Sequence, residues 1–66
     1  MIKEIVLIIL LFNGELSLPS FPFEGTVHEC FEYGDKLRVE LATYHEKINA
    51  WILKDEIGSW QGFICK

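Results

Sequence analysis

A chain of 66 residues holds one small domain. Ten acidic against six basic side chains give a formal charge of −4, which argues against a DNA-binding protein, because phosphate-backbone binding rests on clustered Lys and Arg. Half of the residues are apolar, too many for a disordered chain, and so short a chain seldom encloses the few hundred Å³ (on the order of 300 or more) of a substrate pocket.

The first third is nearly uncharged: residues 1–23 carry only Lys3, Glu4 and Glu15, and residues 5–12 form an unbroken apolar run. That run is far short of the ~20 residues of a transmembrane helix. Two readings of residues 1–20 fit. In the first they are an export signal or short tether, with Lys3, then the apolar run, then Ser17, Pro19 and Ser20. No pair of small residues suited to signal peptidase follows, so this reading implies retention and membrane association through residues 5–12. In the second, Asn13-Gly14 is a two-residue type I′ turn. The resulting hairpin pairs Leu11 with Leu16 and Ile9 with Leu18, all on one face. Pro19, Pro22 and Gly25 then punctuate the chain, so residues 20–24 read as a linker into a second unit, a small β-rich domain of residues 21–66.

From Thr26 the apolar residues fall on odd positions. This predicts an antiparallel hairpin over residues 26–42 with an odd-length loop at Gly34-Asp35. Its inner face carries Val27, Phe31, Leu37, Val39 and Leu41, and its outer face His28, Cys30, Glu32, Arg38 and Glu40. Residues 44–57 admit two readings. Thr43-x-x-Glu46 has the spacing of a capping box, with Tyr44, Ile48, Trp51 and Ile52 at helical intervals and Gly58 as a terminator. The alternation of Ile48, Ala50 and Ile52 with Asn49, Trp51 and Leu53 equally describes a strand buried on both faces. The strand reading gives a mainly β protein, a small antiparallel meander of OB or SH3 type behind an apolar N-terminal segment. The helix reading gives an α+β alternative.

Gly25-Thr26-Val27-x-Glu29, Arg38-Val39-Glu40-Leu41 and Ile48-x-Ala50-x-Ile52 together resemble the first three strands of small OB-type barrels, such as translation initiation factor one and TOBE-like modules. The resemblance implies a β-barrel fold and binding of nucleic acid or a small anion. Cys30, Gly34, Leu37 and Val39 resemble, over a shorter stretch, the membrane-anchored lysozyme inhibitors.

Among chemistry-bearing side chains, His28, Cys30 and Glu32 share one strand face, but His45 and Cys65 do not complete a zinc-binding spacing. Cys30 has no partner acid or anion loop at a spacing that would make it a nucleophile. Glu29 with Glu40, and Asp55 with Glu56, read as surface charge. No metal, cofactor or catalytic residue is expected. The two cysteines are the only pair available for a disulfide, Cys30 to Cys65, which would staple a domain close to the lower size limit in an oxidising compartment. With reduced thiols the cytoplasm is the alternative location.

Five Phe, two Trp and two Tyr exceed what so small an interior hides, and tryptophans beside charges are characteristic of contact surfaces. The expected function is a non-enzymatic protein-interaction module, an inhibitor or a small subunit of an assembly. Its contact residues are expected to be Trp51, Trp60, Glu46, Asp55 and Glu56, with the acids steering a partner protein of basic surface. An OB-like module binding nucleic acid or a small anion is the alternative, which salt-dependent binding to single-stranded RNA would distinguish.

Overall fold

A run of large apolar, β-branched residues suits a strand, and the first such run becomes β1 (Ile2–Leu11), one of the strands with neighbours along both edges. The computed structural model describes residues 1–66. On one side of β1 lie β2 (Leu16–Ser17) and β3 (Ser20–Gly25), and on the other lies β6 (Gly58–Cys65). Beyond β6 come β5 (Ala50–Leu53) and β4 (Ala42–His45), so the order is β2-β1-β6-β5-β4, with β3 beside β1 on the β2 side. All pairings are antiparallel. The protein is therefore mainly β, with β4, β5 and β6 as a meander and one helix, α1 (Val27–Leu41).

Residues 1–20 join the same sheet as the rest of the chain. Ile5, Leu7 and Ile9 of β1 are among the most buried side chains of the molecule, and residues 20–24, expected as a linker, pair with β1 as β3. The turn at Asn13-Gly14 is present, but one residue longer than a type I′ connection. Leu10 pairs with Leu16 and Ile9 with Ser17, which leaves Phe12, Asn13 and Gly14 as the loop. Gly14 alone takes a left-handed backbone (φ 92°), and the Asn13 Oδ1 accepts the Glu15 N–H at 2.9 Å. This is the three-residue geometry with a left-handed Gly. The slip transfers Leu16 from the face of Ile9 and Leu11 to the face of Leu10, because side chains alternate with a period of two. β3 continues the register of β2, with Val6 opposite Ser20 and Ile5 opposite Phe21. The ladder is interrupted around Pro19, which has no N–H to donate, and its register shifts again between Glu4 and Ile2, where Ile2 comes to lie opposite Gly25.

The predicted hairpin over residues 26–42 is instead α1. Thr26 is its N-cap: the Thr26 hydroxyl oxygen accepts the Glu29 N–H at 3.2 Å, and the Glu29 carboxylate accepts the Thr26 N–H at 3.0 Å, a complete capping box. The odd-position parity hid a helical stripe of Cys30, Gly34, Leu37 and Leu41. Its most buried members are Cys30 and Gly34. The connection also demands a helix. The chain leaves β3 at one edge of the sheet and must enter β4 at the other, four strand spacings or ~19 Å away, and fifteen helical residues reach ~22 Å.

Residues 44–57 take the strand reading. Thr43, opposite Ile52, lies in β4 and caps nothing. Asn49 (φ 51°) closes the β4–β5 turn and Glu56 (φ 61°) the β5–β6 turn. Of the segments that carry the OB resemblance, Ala50 and Ile52 fall in β5, while Val27 and residues 38–41 fall in α1.

Helix and sheet meet over Ile5, Leu7, Ile9, Cys30, Ala42 and Trp60. Cys30 on α1 and Cys65 on β6 are joined by a disulfide, with Cα atoms 6.3 Å apart. Only nine residues are buried, so this thin two-layer core relies on its staple. Phe63 lies flat under the helix where Gly34 passes; a Cβ on Gly34 would stand 2.3 Å from the Phe63 ring.

Candidate functional site

The helix enters over β3 and leaves toward β4, so one corner of the face it covers stays bare. There Leu7 and Ile9 of β1 form the floor of an open groove of about 310 Å³. Pro19 and Phe21 of the N-terminal hairpin make one wall, and Leu41 and Leu53 the other. Glu40, Lys54 and Asp55 stand on the rim. The Lys54 N–H donates to the Leu41 carbonyl at 2.9 Å, tying the β5–β6 turn to the end of the helix. The Glu56 N–H donates to the Leu53 carbonyl at 2.8 Å and the Ile57 N–H to the Asp55 carboxylate at 3.4 Å, so the rim turn is ordered from within. The site is an apolar trough with two carboxylates and one ammonium at its mouth. It suits an apolar group that carries a cation, because the trough removes apolar surface from water while the carboxylates face the charge.

The sequence-predicted contact residues are dispersed. Trp60 pairs with Ile9 and with Trp51 on the helix-covered face and is 8% exposed. It belongs to the core, and its ring is not offered to a partner. Trp51 is half-buried beside Tyr44, with the Arg38 guanidinium 4.9 Å from its ring centroid; the contact serves the fold, holding α1 against β5. Glu46 lies in the β4–β5 turn and Asp55 and Glu56 in the β5–β6 turn, at opposite ends of β5. Only Asp55 lines the groove. Sequence reasoning missed Phe21 and Pro19, because a Pro-punctuated stretch resembles a linker, and Glu40 and Leu41, because their segment was read as strand. The alternation of Phe21 and Phe23 about Pro22 was the available signal for an edge strand.

The remaining chemistry is dispersed as well. His28 and Glu32, one helical turn apart, form an exposed pair at 3.0 Å, while Cys30 points the other way, into the disulfide. No three His, Cys, Asp or Glu side chains come together as a metal site. The carboxyl of Glu29 titrates below the usual range, chiefly because the Thr26 backbone N–H donates to it, with the Thr26 side chain next. No helix is long and apolar enough to cross a membrane. No protein-family model, curated protein or solved structure matches this chain.

Proposed function

We propose that this protein is a non-enzymatic interaction module that receives an apolar, positively charged segment of a partner protein in the groove between the end of α1 and the N-terminal hairpin. The observation that carries this reading is the trough of Leu7, Ile9, Phe21 and Leu53 with Glu40 and Asp55 at its mouth. The net charge of −4 supports it, since an acidic molecule attracts a basic partner over about a Debye length, ~8 Å at physiological salt. An inhibitor or a small subunit would both use such a site. The disulfide fits work in an oxidising compartment.

A short peptide alternating Leu and Lys is the probe, titrated against oxidised full-length protein and followed by its polarisation. Binding that weakens about tenfold in Glu40→Lys/Asp55→Lys supports the reading. A peptide of Leu and Glu that binds equally well, or a charge reversal without effect on the Lys peptide, overturns it.

A further inference from the structure

The face of the sheet turned away from the helix carries a second feature, independent of the groove. Cross-strand partners share a face, so the register settles its composition. Leu10 lies with Leu16 and Ser59, Val6 with Ile64 and Ser20, Ile8 with Gly62, and Ile52 with Ser59 and Thr43. Leu18 follows Leu16 in the same alternation. Leu10, Leu16, Leu18 and Ile64 are 41%, 60%, 55% and 45% exposed. Glu4, Lys66 and His45 are the ionisable residues that the pairing places on this face, Glu4 opposite Lys66 near one end of β1 and His45 at the end of β4. A chain with ten acidic residues thus keeps almost all of them off a face whose centre is largely aliphatic, interrupted by Ser59 and by Gln61, whose amide donates to the Ser59 hydroxyl at 2.8 Å.

We infer that this open sheet face docks on the same face of a second copy of the chain, joining two sheets through Ile8, Leu10, Leu16, Leu18, Ile52 and Ile64. Three observations select that occupant. An interface on a two-fold axis must tolerate itself, and a face without charge at its centre brings no like charges together when two acidic molecules meet. The area is sufficient: the molecule measures 37 × 23 × 15 Å, so its broad face approaches the ~800 Å² per partner of a stable interface, while its thickness accommodates only the sheet and α1. The edges discourage the competing mode of self-association. Pro22 breaks the outward row of N–H donors on the β3 side, and β4 on the other side is only four residues long. Packed sheets stand ~10 Å apart, so the dimer has four layers, helix outermost on each side, with its two grooves facing away from the interface.

The test is the mass of the oxidised full-length chain by sedimentation over a range of concentrations. Twice the chain mass is expected, and Leu10→Lys/Ile64→Lys should weaken association by about a hundredfold. Val39→Lys, on the exposed side of α1, should leave it unchanged. Mixed labelled and unlabelled wild-type protein supplies a check that needs no variant: intermolecular methyl contacts of Leu10 and Ile64 are expected by NMR. A wild-type monomer at every concentration overturns the inference. So do contacts that map to α1, and so does a monomer that instead co-sediments with phosphatidylcholine vesicles, which would give the face to lipid.

Discussion

Thr26 and Thr43 each stand three residues ahead of a glutamate, followed by apolar residues that satisfy both a helical and an alternating pattern. One opens α1, with its hydroxyl capping Glu29, and the other sits in β4 opposite Ile52. What separates them is the distance the chain must cover next. After Thr26 it has to cross the width of the sheet from β3 to β4; after Thr43 it needs only to reach the adjacent strand, and a turn closed by Asn49 does that. The same local signal therefore nucleates a helix where a helix fits the span and stays latent where a hairpin does.

The largest test of this contrast removes what holds the helix on the sheet. The Cys30–Cys65 bond closes a loop with a sequence separation of 35, for which the chain-entropy model gives about 4 kcal/mol. Cys30→Ser/Cys65→Ser is expected to lose about 2–5 kcal/mol in urea unfolding. An unchanged midpoint would show that the cap and the packing suffice without the bond.

Gly34 offers a sharper test, because helix propensity and packing pull in opposite directions. In an isolated helix Gly→Ala gains about 1 kcal/mol. Here the added Cβ falls 2.3 Å from the Phe63 ring, and overpacking of this kind costs about 1–3 kcal/mol. Gly34→Ala is expected to lower stability by up to about 2 kcal/mol and Phe63→Leu to recover part of it in the double variant. A stabilised Gly34→Ala protein would mean that propensity, not contact with β6, governs this helix.

The smallest effects compare the two threonines directly. Thr26→Val keeps the β-branch and removes the capping oxygen, with an expected loss of about 1 kcal/mol. Thr43→Val on the exposed strand should stay within about 0.5 kcal/mol. Equal losses would erase the distinction. The cap also carries a pH signature. Because the folded-state titration of Glu29 is depressed, its contribution is present above the ordinary glutamate value and fades as pH falls from about 4.3 downward. Urea midpoints followed from neutral to strongly acidic pH should show that part of the acid limb missing in Glu29→Gln.

Part of this fold was legible because the chemistry is local. The β-branched run in residues 5–9 suits a strand wherever it sits, Asn13-Gly14 turns whatever flanks it, and two cysteines allow one pairing. Asp55, which lines the groove, was legible as an exposed charge because it lies in a turn. Other features depended on partners remote in sequence. Residues 27–41 satisfy both periodicities, and only the need to cross the sheet, with Phe63 accepting Gly34, makes them helical. Trp60 has the composition of a contact residue, but its register opposite Ile9 places it under the helix. The one-residue difference between two turn geometries at Gly14 moves Leu16 to the open face. Composition and short motifs determined that the chain would form a small, disulfide-competent, mainly β domain. Which side chains became core, groove or exposed face was decided by tertiary structure, because strand register and the path of the helix set the facing of every residue at once.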